Sequence, residues 1–182
     1  MSNTALLVMD IQKGIVGRVS DPEYLPRLTR AVEAARQAGI PVLHVVVGFR
    51  SGHPEKSGDN KTFSALPAGV LTPEDPGSAI HPDAAPRSGE VVITKRRISA
   101  FAGSDLDVVL RSGGFSHLVL AGVSTSGVVL STLRQAADLD YRLTVLADGC
   151  ADFDEEVHRV LTEKVFPSQA EVTSVEKWAG SV

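Results

Sequence analysis

The sequence predicts an α/β protein, a three-layer α/β/α sandwich built on a mainly parallel sheet. Three observations carry this reading. Short, predominantly apolar runs recur at 4–9, 42–47, 90–94, 117–121 and 142–147, the pattern of strands covered on both faces. Segments with helical spacing of apolar residues lie between them, which implies right-handed crossovers. The chain has 182 residues, 43% hydrophobic and 22% charged, which suits one domain over 1–182 that needs no disulfide or metal to hold a core.

The first run, Ala5-Leu6-Leu7-Val8-Met9, stops at Asp10. Asp21 and Pro22 suit a helix start, and Leu28, Val32 and Ala35 continue it to a stop at Gly39 and Pro41. Val42 to Val47 is the second strand. Residues 48–89 hold twelve of the chain's glycines and prolines and read as one long functional connection. Glu90 to Thr94 is the third strand, and Ser104 caps a helix that ends at Gly113-Gly114. His117 to Ala121 is the fourth strand. A helix over 126–139 follows, with Val129, Leu133 and Ala136 on one face. The fifth strand is 142–147, a helix spans 154–165, and 170–175 is a last strand.

Composition excludes several function classes. A net charge of −4 argues against a nucleic-acid partner, which needs a basic surface. No apolar run reaches the length of a membrane span. The single cysteine, Cys150, forms no internal disulfide, and Met-Ser-Asn-Thr carries no basic leader, so the expected location is the cytoplasm. The five histidines (His44, His53, His81, His117 and His158) show no metal-ligand spacing, although His53 and His81 fall in the long connection, where a pocket wall is expected.

In an open parallel sheet the ligand crevice lies beyond the carboxyl ends of the strands. Three of those ends carry chemistry here: Asp10, then Thr94-Lys95, then Gly122-Val123-Ser124-Thr125. A lysine beside a carboxylate tunes its proton affinity, and amides at a helix start hold negative charge. Alternatives fail on motif. Asp10-Ile11-Gln12-Lys13-Gly14 lacks the glycine pattern of a dinucleotide site, no phosphate loop occurs, and Gln12 stands where an aspartyl phosphatase places its second acid. A response-regulator receiver would need paired acids in the first loop.

Four segments in fixed order carry a family resemblance: Ala5 to Gln12, Lys95 to Phe101, Leu120 to Thr125, and Asp138 to Tyr141 running into Val145-Leu146-Ala147-Asp148. Over residues 4–178 the chain resembles the isochorismatase-like (cysteine hydrolase) family, which includes isochorismatases, nicotinamidases and N-carbamoyl amidohydrolases. The resemblance implies a Rossmann-like sheet, Asp10 as catalytic acid/base, Lys95 as its partner, and a non-proline cis peptide at Val123–Ser124. It further implies an oxyanion hole from the N–H groups of Ser124 and Val128.

One departure matters. Amidase members place a cysteine six residues after the glycine of this turn, and here that position is Val128. Valine cannot attack a carbonyl. The zinc-binding D-x-H of nicotinamidases is replaced by Phe49-Arg50-Ser51-Gly52-His53. The resemblance therefore implies a hydrolase of a small molecule, without cofactor or metal, working by acid-assisted water addition. The alternative is an inactive member that binds a ligand or a partner. A homo-oligomer is expected from the resemblance and from Phe63, Leu66, Val70, Leu71 and Ile80, apolar residues with no predicted element to bury them.

Overall fold

The structure, a computed structural model, describes residues 3–182. Six strands form one sheet: β1 (Thr4–Met9), β2 (Val42–Val47), β3 (Val91–Lys95), β4 (His117–Val123), β5 (Arg142–Ala151) and β6 (Glu171–Thr173). Their order is β3-β2-β1-β4-β5-β6 and every pairing is parallel. The chain winds outward from β1 in one direction, then restarts at β4 and winds in the other. The crevice therefore opens between β1 and β4, at the switch point of the sheet.

The helices are α1 (Lys13–Val16), α2 (Tyr24–Gln37), α3 (Lys61–Ser64), α4 (Leu106–Ser112), α5 (Leu130–Asp138), α6 (Glu155–Val160) and α7 (Val175–Ala179). Strand alternation sorts the core into two layers. Ala5, Leu7 and Met9 of β1 join Leu106, Leu133 and Phe166 on one face. Leu6 and Val8 join Tyr24, Leu28, Val32 and Trp178 on the other. This is the expected three-layer sandwich, and β1, buried on both faces, explains why its sequence has no polar alternation.

Several boundaries differ from the sequence reading, each for a local reason. Asp21 accepts a hydrogen bond from the Glu23 N–H at 2.9 Å and turns the chain, so α2 begins at Tyr24 rather than at Pro22. Lys95 is the last residue of β3 rather than the first beyond it. The stretch 126–139 opens with a wide π-helical turn, Thr125–Val129, before α5, and α6 similarly passes into a π turn at Leu161–Val165. The last strand stops at Thr173, because Ser174 caps α7 through the Lys177 N–H and Val175 and Trp178 turn into the core.

The long connection is well tied down. Asn60, Asp75 and His81 each cap a short helical turn. Gln12, 1% exposed, donates to the carbonyls of Val47 and Ser78 and accepts from the Val47 N–H, all at 2.9 Å. Phe63 and Leu71 pack with Val47 and Phe49, and Leu66 and Val70 lean on the same cluster. Phe63 and Leu71 are thus buried within the chain, and Leu66 and Val70 are half-buried against them.

Gly122 marks the tightest backbone approach. A Cβ there would overlap the carbonyl oxygen of Met9, its register partner on β1, and lie 2.8 Å from the Met9 Cβ. Gly122→Ala is expected to destabilise the fold by about 3 kcal/mol, the upper range for overpacking. Gly58→Ala, with nothing within 4 Å of the added carbon, should melt within a degree or two of the wild type. Parallel thermal melts check both.

Candidate active site

Asp10 terminates β1 with a left-handed backbone, φ 57°. Aspartate tolerates this conformation better than a branched residue does. Its N–H still donates to the Val45 carbonyl at 2.8 Å, so the backbone stays moored to β2. Lys95 closes β3, and its Nζ lies 3.0 Å from Asp10 Oδ2 and donates to the Arg97 carbonyl at 3.0 Å. The pair is buried, Asp10 5% and Lys95 2% exposed. Asp10 Oδ1 is buried with no hydrogen-bond partner among the described residues. Burial pushes the Asp10 carboxyl up to about 6, and the Lys95 charge opposes that rise without cancelling it.

The turn after β4 builds the opposite wall. The Val123–Ser124 peptide is cis, as the resemblance implies. Ser124 Oγ accepts from the Gly127 N–H at 3.1 Å, and the Ser124 carbonyl receives the N–H groups of Gly127 and Val129. Thr125 Oγ1 is hydrogen-bonded to His158 Nδ1 at 2.8 Å, and Asp152 Oδ2 accepts from the Ser126 N–H at 2.7 Å. Residues from the β5–α6 region therefore hold this turn in place. Burial lowers the proton affinity of His158, which favours the neutral ring in that contact.

A cavity of about 300 Å³ lies between these walls, and Asp10, Lys95, Ser124 and Val128 all line it. The four residues singled out in the sequence, far apart along the chain, thus meet in one place. Phe63, Leu66, Val70 and Leu71 from the long connection supply much of the remaining, apolar wall. His53 and His81 are not among the lining residues. His53 instead packs edge-on against Phe49 with Nε2 2.7 Å from the Val70 carbonyl, and His81 caps its own turn. Cys150 lies outside the cavity too, with Sγ facing the Leu120 carbonyl at 3.9 Å. Burial pushes its thiol up to about 12. Among the described residues no three His, Cys, Asp or Glu side chains gather as a metal site.

Sequence reasoning missed three contributors. Gln12 ties the long connection to β2; the available signal was a polar residue three places after the end of a buried strand. Arg18 and Phe153 also line the cavity, brought together from positions 135 residues apart, and no local pattern announces that meeting.

Comparison with known proteins shows which family and fold the chain shares. The isochorismatase domain profile matches residues 4–177. The isochorismatase family protein YecD of Escherichia coli O157:H7 is 34% identical over 179 residues, covering 96% of this chain and 93% of that protein. The ureidoacrylate amidohydrolase RutB of Stutzerimonas stutzeri is 31% identical over 205 residues, covering 100% of this chain and 79% of that protein. The structure of an isochorismatase family protein from Burkholderia thailandensis superposes with a TM-score of 0.83 at 26% identity, covering 100% of this chain and 98% of that one.

Two outcomes follow from the site's electrostatics. Lys95→Met removes the charge that opposes burial, so the Asp10 carboxyl should titrate above its wild-type value of about 6; carbon-13 titration of the side chain measures the rise. Cys150, 3% exposed and held protonated at neutral pH, should react with iodoacetamide far more slowly than a free thiol. Mass spectrometry of the intact folded chain reads this directly.

Proposed function

The chain belongs to the isochorismatase family, and we propose that it is a hydrolase of a small molecule that works without a cysteine nucleophile, by acid-assisted addition of water. One observation carries the reading: Asp10 lines a largely apolar cavity, one of its carboxyl oxygens is buried with no hydrogen-bond partner among the described residues, and burial pushes its carboxyl up to about 6. A carboxyl in that state is protonated for part of the near-neutral range and can donate its proton to the terminal carbon of a bound vinyl ether, leaving an oxocarbenium ion. Water then adds to the cationic carbon and its surplus proton returns to the Asp10 carboxylate; the hemiketal so formed breaks its ether C–O bond, its hydroxyl proton passing to the departing alcohol oxygen, and a carbonyl product is left. Lys95, already at hydrogen-bond distance from Oδ2, stabilises the carboxylate between the two transfers. The N–H groups of Ser124, which caps the π turn, and of Val128, within it, are assigned to any negative charge that develops on substrate oxygen. No cofactor is required for this route. Residues 1–182 act as one domain in this reading. The lone buried cysteine suits a reducing cytoplasm, and assembly as a homo-oligomer rests on the family resemblance.

Val128 favours a second reading. Val128 lines the cavity, and by the family resemblance amidase members carry a cysteine at this position, so in this reading the thioester route has no nucleophile. A chain that kept the pocket only to bind a ligand or partner would look similar there. The relative RutB is named an amidohydrolase, so amides belong in the test beside vinyl ethers.

Purified protein is assayed against vinyl ethers, amides and carbamoyl compounds, with Asp10→Asn as control and thermal melts to confirm that the variant folds. Vinyl-ether turnover is expected, lowered about 100-fold or more in Asp10→Asn. Since the protonated carboxyl is the active form, kcat/KM should fall as pH rises through about 6. Amide turnover that instead rises through that pH would assign Asp10 as a base. Ligand binding without turnover of any class would establish the binding protein.

A further inference from the structure

We propose that Arg18 sets the charge selectivity of the cavity, receiving a carboxylate borne by the bound small molecule while the rest of that molecule lies on the apolar wall. The inference deepens the reading above and rests on it. Arg18 lines the cavity together with Asp10 and Lys95, and its guanidinium carbon sits 4.1 Å from the centre of the Phe153 ring. The Arg18 guanidinium makes no hydrogen bond or ion pair among the described residues, so its N–H donors are open to a ligand. Arg18 is solvent-exposed and Phe153 is 45% exposed, so the stacked pair is accessible at the cavity's mouth.

The charges around it are already engaged. Lys95 serves Asp10 and the Arg97 carbonyl. Asp75, also on the wall, accepts the N–H groups of Leu71 and Gly77 at 2.9 and 2.8 Å. Asp152, next to Phe153, accepts those of Ser126 and Phe153 itself. Arg27, Arg36, Arg50, Arg87, Arg111 and Arg159 each pair with a carboxylate of the chain. Arg18 pairs with none among the described residues. It is held by an aromatic ring instead, beside an apolar cavity, with a planar fork that matches a carboxylate in two parallel hydrogen bonds.

Benzoate and its neutral counterpart benzyl alcohol test this, each titrated against the full chain, with the carbon-13 signal of the Asp10 carboxyl reporting occupancy of the cavity. The wild type should prefer benzoate by about tenfold, the scale of one charge-assisted contact. Arg18→Gln should abolish that preference and leave benzyl alcohol binding unchanged, while Arg18→Lys, a point charge without the fork, should keep part of it. A preference that survives in Arg18→Gln overturns the proposal and assigns the anion to another cation. Equal binding of the two probes to the wild type overturns it too, but leaves the small-molecule site intact. Failure of both probes to perturb Asp10 overturns the small-molecule site and this inference with it.

Discussion

Lys95 and Asp10 meet across an intervening strand. β3 and β1 both flank β2, so the two backbones are separated by two strand spacings, about 9–10 Å. Only a long side chain closes that gap, and the 3.0 Å contact is made because β3 ends with a lysine in register with Val47, just past the pairing of β1 with β2. The contact bridges the ends of β1 and β3 across the end of β2, at one side of the cavity. It is costly to build, since burying two charges consumes about as much free energy as their attraction returns. A buried pair in a cleft, with one carboxyl oxygen unmatched among the described residues, fits the acid role proposed above.

The walls beside this contact come from segments that the sheet does not order by itself. Gln12 follows β1 by three residues and replaces the missing sheet partners of Val47, while its amide also holds Ser78. This one side chain links the end of β1, the end of β2 and the far end of the long connection. Phe63 and Leu71 then have a fixed surface to pack on, and the apolar half of the cavity is formed by residues that would otherwise face water. On the other side, the π turn after β4 is braced by His158 and Asp152, so the position of Ser124 and Val128 depends on α6 and the loop before it as much as on β4.

These dependencies give the site a graded character. The acid and its lysine are set by the sheet, the most buried part of the molecule. The amides of the β4 turn are set by a capped helix start and its braces. The apolar wall and the stacked Arg18 come from connections, where loops of related folds differ most readily. In the proposed reading, the acid chemistry sits on the rigid element and the discrimination between ligands on the connections.

Much of this was legible in the sequence. Period and burial follow from local composition, so the six strands, the three-layer sandwich and the crevice at strand ends could be read from the sequence, Asp10, Lys95 and Ser124 stood out as strand-end or turn residues, and the family resemblance added Val128. The resemblance added the cis peptide at Val123–Ser124. Tertiary structure decided the rest. The sequence showed that residues 62–80 were apolar but not what would cover them, because their partners, Val47 and Phe49, belong to another segment. It offered His53 and His81 for the pocket and passed over Arg18 and Phe153, since a pocket wall is a set of residues chosen by chain crossings rather than by local pattern. The partner and the proton affinity of Asp10 likewise needed the fold. Composition shows that a carboxylate follows a buried strand, whereas burial depth and a charge two strands away, which set its proton near 6, exist only once the sheet has assembled.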